Sequence, residues 1–259
     1  PGLQEVLLDP IPDVRATSAK ALGNLLGGVG ESELSDLIPW LLKTLRAETS
    51  PVERSGAAQG LAEICLSLPN SRIDEIIRDS LSLRNHPKPS AREGLLWLLT
   101  FLPSVLGEPF AEYISATLPV VLSGLSDDSE GVREVSLRAG QVFVTSHGRA
   151  HTQDVLYPLL AGMFDEDWRI RESSVTLLGE LLYLVGDTKA VGLTDGDNDD
   201  DEMGGGSSRV TTMIRAHIGE ALADSVLASL YVIRSDSSSS VRQIALQVWK
   251  SVVSNTPRT

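Results

Sequence analysis

Apolar residues recur along this chain at intervals of three and four, the spacing that places side chains on one face of a helix. Residues 165–186 show it most completely. There Ile170, Ser174, Leu177, Leu178, Leu181, Leu182 and Val185 share a face, while Asp165 and Asp167 are placed to accept from the free N–H groups of the first turn. Gly186 then suits a left-handed residue closing the helix. The run Phe110, Tyr113, Ile114, Leu118, Val121, Leu122 and Leu125 keeps the period without a miss. Such one-sided stripes must be buried against other helices.

The pattern also repeats at longer range. An arginine near the start of every second helix (Arg15, Arg54, Arg92, Arg133, Arg171, Arg242) recurs after 39, 38, 41, 38 and 71 residues, the last being one period plus an insertion. Small residues follow it, as in 18–23, 56–62 and 135–140, and let neighbouring helices approach to about 8–10 Å. Leading helices are predicted over about 34–45, 73–83, 110–125, 154–164 and 213–233. Pro39, Pro119 and Pro158 fall inside three of them, where proline removes a backbone hydrogen bond and bends the helix. A period near 40 residues, paired helices, a recurring proline and an arginine-marked second helix form the pattern of HEAT repeats.

The predicted fold is therefore all-α: an armadillo-type α-solenoid of about six helical hairpins, stacked into a right-handed superhelix because no hairpin buries both faces alone. HEAT repeats are expected over 1–186 and again over 211–259. Between them, 187–210 is acidic from Asp195 to Glu202 and then glycine-rich, and is predicted to be a disordered loop between helices. The first hairpin is expected to lack its leading helix and the last a successor, as in a segment of something longer.

Composition narrows the function. A formal net charge of −13 argues against a surface that grips nucleic acid by charge throughout, and DNA is not an expected partner. The most apolar run, Leu95 to Leu102, is predicted to stop at Pro103, short of the roughly 20 residues of a membrane span. Cys65 is the only cysteine, so no internal disulfide forms, and its apolar setting predicts a small buried hydrophobe. A calcium loop starting at Asp195 would need Gly at its sixth place and Glu at its twelfth, where Asp200 and Gly206 stand. His147 and His151 have the spacing of a zinc helix without its glutamate, and read as exposed or helix-terminal. With no glycine-rich phosphate loop and no nucleophile–base arrangement, neither enzyme, cofactor nor metal is expected. The arginine ladder is expected to pair with helix-start acids such as Asp13, Asp128, Asp167 and Asp236, each exposed pair contributing about 0–1 kcal/mol. Lys43, Arg46, Arg138 and Arg169 lie off that ladder and, with Trp168, are candidate partner contacts.

Five strings carry a family resemblance: 37–42 (LIPWLL), 54–63 (RSGAAQGLAE), 137–141 (LRAGQ), 167–182 (DWRIRESSVTLLGELL) and 241–259, which ends in SNTPRT. Over about 34–259 the chain resembles the general control non-derepressible protein one family in its central region, which is similar to the HEAT domain of fungal elongation factor three. Residues 1–33 match only as a generic repeat. The resemblance implies a non-enzymatic, cytoplasmic scaffold associated with ribosomes, which helps activate the general-control kinase acting on the alpha subunit of initiation factor two. It also implies an ABC-type ATPase as partner, and puts the kinase-binding segment farther toward the C-terminus. The acidic loop and 147–151 look variable against the family pattern. A bare repeat reading leaves open a nuclear-transport or phosphatase-subunit scaffold, but Trp40, Trp97, Trp168 and Trp249 come without the asparagine ladder such a groove uses.

Overall fold

A computed structural model describes residues 2–186 and 205–253. Among these, all regular structure is helical: α1 (Gly2–Leu7), α2 (Pro12–Val29), α3 (Leu37–Leu45), α4 (Pro51–Cys65), α5 (Asn70–Leu81), α6 (Pro89–Leu106), α7 (Ile114–Gly124), α8 (Glu130–His147), α9 (Thr152–Gly162), α10 (Trp168–Val185), α11 (Gly205–Ile218), α12 (Glu220–Ile233) and α13 (Ser239–Val252). They form six hairpins, α1–α2 to α9–α10 and then α12–α13, with α11 between the fifth and sixth. Residues 1–146 and 147–259 make two compact units.

In the first unit, the second helices of consecutive hairpins pack side by side, α2 on α4 and α4 on α6. Glycine permits this approach between α2 and α4, where a Cβ on Gly23 would lie 2.8 Å from the Glu63 carbonyl oxygen, and it also lets α4 and α6 close on the ends of the preceding leading helices α1 and α3. A Cβ on Gly56 would lie 2.1 Å from the Leu7 carbonyl oxygen, and one on Gly94 only 1.9 Å from that of Leu45. Leu26, Leu61, Ile64, Leu95, Leu98, Phe110 and Phe143 fill the core. Pro12, Pro51 and Pro89 each stand in the first turn of a second helix, where their missing N–H costs no bond. Ser50 caps α4 by accepting from Val52 N–H at 3.1 Å. In the second unit, α10 packs on α9 and α13, and Ser174, Val175, Leu177, Leu178, Leu181, Leu182 and Val185 are buried. Asp167 caps α10 by accepting from Arg169 N–H at 2.8 Å.

Several predicted details are corrected. Gly186 has φ −72°, so it is not left-handed; its lack of a side chain leaves room for Val210, whose methyl would stand 3.0 Å from a Cβ there. The single helix expected over 213–233 is broken at Gly219, whose φ of 85° is a turn that glycine adopts without strain. The helix expected over 110–125 starts as a 3-10 stretch, Glu108–Tyr113. Pro103 does not end α6, which runs three residues further with Pro103 itself buried. Pro39 lies in the first turn of α3 and breaks no bond, unlike Pro119 and Pro158 inside α7 and α9. The first hairpin does have a short leading helix, α1, whose Leu7 is fully buried. Of the loop expected over 187–210, residues 187–204 lie outside the described residues, as do 254–259 of the family string, and α11 begins within the remainder.

Candidate functional site

The arginine ladder is bound chiefly to backbone. Each member aims Nη1 at two carbonyls of the loop that precedes its own helix: Arg15 at Asp9 and Pro10, Arg54 at Ala47 and Thr49, Arg92 at His86 and Pro87, Arg133 at Asp127 and Asp128, Arg171 at Asp165 and Glu166, Arg242 at Asp236 and Ser237. These loops turn sharply and leave carbonyls that no helix satisfies, so a donor fork closing them removes an unpaired-acceptor cost. Three members then reach the next hairpin with the rest of the guanidinium. Arg54 bonds Glu93 at 2.7 Å, Arg92 grips Asp127 at 2.6 and 2.8 Å, and Arg171 grips Asp236 at 2.7 and 2.9 Å.

Of the expected acidic partners, Asp236 is confirmed and Asp127 takes the place of Asp128. The acid chosen lies six residues before the next ladder arginine, and its Oδ1 also accepts a backbone N–H two residues on, from Ser129 at 2.9 Å or Ser238 at 2.7 Å. Burial raises the Asp127 pKa, but the Arg92 fork and the Ser129 N–H outweigh it and hold the carboxyl below its usual range. Asp236 is held low first by its bond from Arg171.

The candidate partner contacts fall in different settings. Lys43 and Arg46 are exposed and form no ion pair among the described residues. Arg138 lies over the Trp97 ring, 5.4 Å from its centroid. Trp97 donates to Glu93 at 3.1 Å, so Arg54, Glu93, Trp97 and Arg138 form one chain of contacts through α4, α6 and α8. Trp168 is 41% exposed, and the Arg169 guanidinium stacks on it at 4.9 Å.

Sequence reasoning missed the outer stripe of the leading helices. Aligning the sequences of these helices on their buried Leu41, Ser80, Val121, Leu159 and Leu230 brings equivalent outward positions into register. In the first unit these are Pro39, Lys43 and Arg46 on α3, Arg78, Ser82 and Asn85 on and after α5, and Pro119, Ser123 and Ser126 on and after α7. In the second they are Tyr157, Ala161 and Phe164, then Ala228, Val232 and Ser235. One stripe carries three cations and no carboxylate; the other carries no charge and exposes Tyr157 at 54%, Phe164 at 55% and Val232 at 58%. A register set by the prolines hides this, because Pro158 sits one position later than Pro39 and Pro119.

Residues suited to covalent or metal chemistry are few. Cys65 is buried, which pushes its thiol up to about 12. No group of three or more His, Cys, Asp and Glu suited to a metal occurs among the described residues, and none of the described helices is long and apolar enough to cross a membrane. His147 ends α8 as expected but is buried, with its ring 6.0 Å from that of His151.

No model of a known protein family matches the chain. Individual relatives match along its whole length. It is 44% identical over 262 residues to the eIF-2-alpha kinase activator GCN1 of Dictyostelium discoideum and 41% identical over 261 residues to the stalled ribosome sensor GCN1 of Homo sapiens, covering 100% of this chain and 10% of each relative. To the eIF-2-alpha kinase activator GCN1 of Saccharomyces cerevisiae it is 38% identical, covering 97% of this chain and 9% of that protein. The chain thus spans about a tenth of the length of the curated relatives it matches. Among solved structures, a designed armadillo repeat protein in complex with the peptide (KR)4 aligns at a TM-score of 0.40 and 16% identity, covering 97% of this chain and 98% of that one, a likeness too weak to bear on fold or ligand. The family resemblance is borne out, and it extends to residues 1–33: the chain is homologous from end to end to one segment of the GCN1 proteins.

Proposed function

We propose that this chain is a non-enzymatic scaffold segment of a ribosome-associated regulator that promotes activation of the kinase acting on initiation factor two alpha. The observation that carries this is the whole-length identity of 41–44% to proteins named for kinase activation and for sensing stalled ribosomes. A cytoplasmic setting follows from that reading. So does an ABC-type ATPase as a working partner. Nothing in the relatives favours a transport or phosphatase-subunit scaffold.

The ribosome would be met by the outer stripe of the first unit. Lys43 and Arg46, on and just after α3, and Arg78 on α5 lie on the outward stripe of successive leading helices, and none of the nine stripe positions of the first unit is a carboxylate. Phosphate contacts release counterions, so binding through such a stripe weakens steeply with salt even on a protein of net charge −13. Successive leading helices are neighbours there: Arg72 on α5 bonds Glu31 at 3.0 Å, and Tyr113 donates to Asp74 at 2.5 Å.

Co-sedimentation of the full-length parent with ribosomes over a salt series tests both levels. Loss of association with rising salt is expected, and replacing Lys43, Arg46 and Arg78 by alanine should flatten that dependence by about one unit of slope per contact removed. A parent that does not sediment with ribosomes even at low salt refutes the function. An unchanged slope in the triple variant refutes the stripe.

A further inference from the structure

We propose that Tyr157, Phe164 and Trp168 form a docking surface for a basic, amphipathic segment of a partner protein. The folded chain does not require aromatics at these places. Tyr157 stands where Pro39 and Pro119 stand in the first unit, and Phe164 where Arg46 and Ser126 stand. Trp168 opens α10 at the position that α2, α4 and α6 give to proline and α8 to Glu130. All three are nonetheless large and about half exposed. Tyr157 lies on α9, Phe164 in the turn that follows it, and Trp168 begins the helix packed against α9. Large exposed aromatics carried by a single hairpin mark an interaction surface, since rigid rings supply contact area at small entropic cost.

Charge selects the partner. Across 154–172 there are five carboxylates, Asp154, Asp165, Glu166, Asp167 and Glu172, against two arginines. One of those arginines, Arg171, is spent on Asp236, and the other, Arg169, already lies on the Trp168 ring. That stacking shows a ring face receiving a guanidinium, as a lysine or arginine of a partner would be received. A phosphate backbone would meet net negative charge here, whereas a cationic helix or strand with apolar anchors fits both the rings and the acids around them. This surface is separate from the basic stripe of the first unit and stands or falls independently of the ribosome reading.

The whole chain can be titrated into three fluorescent probes: a lysine–leucine amphipathic peptide, its glutamate–leucine counterpart and single-stranded polyuridine. Binding is expected for the lysine–leucine peptide alone. Phe164→Ser and Trp168→Glu place at these positions residues that the first unit already carries there, so each should keep the parent melting temperature while weakening that peptide on the order of tenfold. Lys43→Ala should leave it unchanged. The proposal is overturned if the variants bind as the parent does, if the acidic peptide or the polyuridine is preferred, or if the two substitutions lower the melting temperature by several degrees, which would make the aromatics part of the fold.

Discussion

Replacing Gly94 by alanine tests how closely α6 lies against the end of α3. The added Cβ would stand 1.9 Å from the Leu45 carbonyl oxygen, 2.9 Å from its carbon and 3.1 Å from Leu45 Cγ. Carbon atoms settle at about 3.5–4.0 Å from their neighbours, so the two helices must part by more than about 1 Å, and the obstruction is backbone that cannot rotate away. Overpacking of this kind costs about 1–3 kcal/mol, with this site at the upper end. Alanine in a helix interior returns about 0.5–1 kcal/mol. The expected net loss is about 2 kcal/mol, a fall in melting temperature of roughly 4–8 °C for a chain of this size. Gly28, inside α2, is the control: a Cβ there meets nothing within 4 Å, so Gly28→Ala should stabilise by about 0.5–1 kcal/mol. Urea unfolding followed by circular dichroism, with the slope m compared across variants, measures both. Two shifts of the same sign, or a Gly94→Ala protein as stable as the parent, would refute the packing argument.

Three other outcomes are expected. Leu178→Ala removes a side chain with 0% exposure and should cost about 2–5 kcal/mol in the same urea assay; an unchanged midpoint would contradict its place in the core. Because Asp127 and Asp236 have depressed folded-state pKa values, their stabilisation is present above the unfolded carboxyl value, about 3.9, and is lost as pH falls through the lower folded values. Acid titration of an Asp127→Asn, Asp236→Asn double variant should accordingly show a shallower loss of structure below about pH 4 than the parent. Cys65, with its thiol pushed up to about 12 by burial, should resist a thiol reagent at neutral pH and react only at the rate of unfolding; rapid labelling of the folded chain would contradict that burial.

The hairpins and the arginine ladder were legible in the sequence because a repeat states the same constraint several times, and each statement corrects errors in the others. What the arginines hold was not. Their main acceptors are carbonyls of the loops, which every residue possesses and no side-chain pattern reveals. Single prolines and glycines were also ambiguous: Pro103 continues a helix whose surroundings bury it, whereas Gly219 breaks one. The exposed aromatics on and just after α9 escaped notice for a third reason. Whether Tyr157 and Phe164 face a core or the solvent turns on a register difference of one residue, and that difference is fixed by which neighbours fill the interior.

The ladder joint has one more consequence, for how such a protein changes over evolutionary time. Arg92 grips an aspartate 35 residues away and Arg171 grips its counterpart 65 residues away, with the same two-bonded geometry. The joint therefore registers which loops are neighbours and ignores the contour length of chain between them. Extra sequence can enter after α10 and diverge freely while the hairpins on either side keep their mutual alignment.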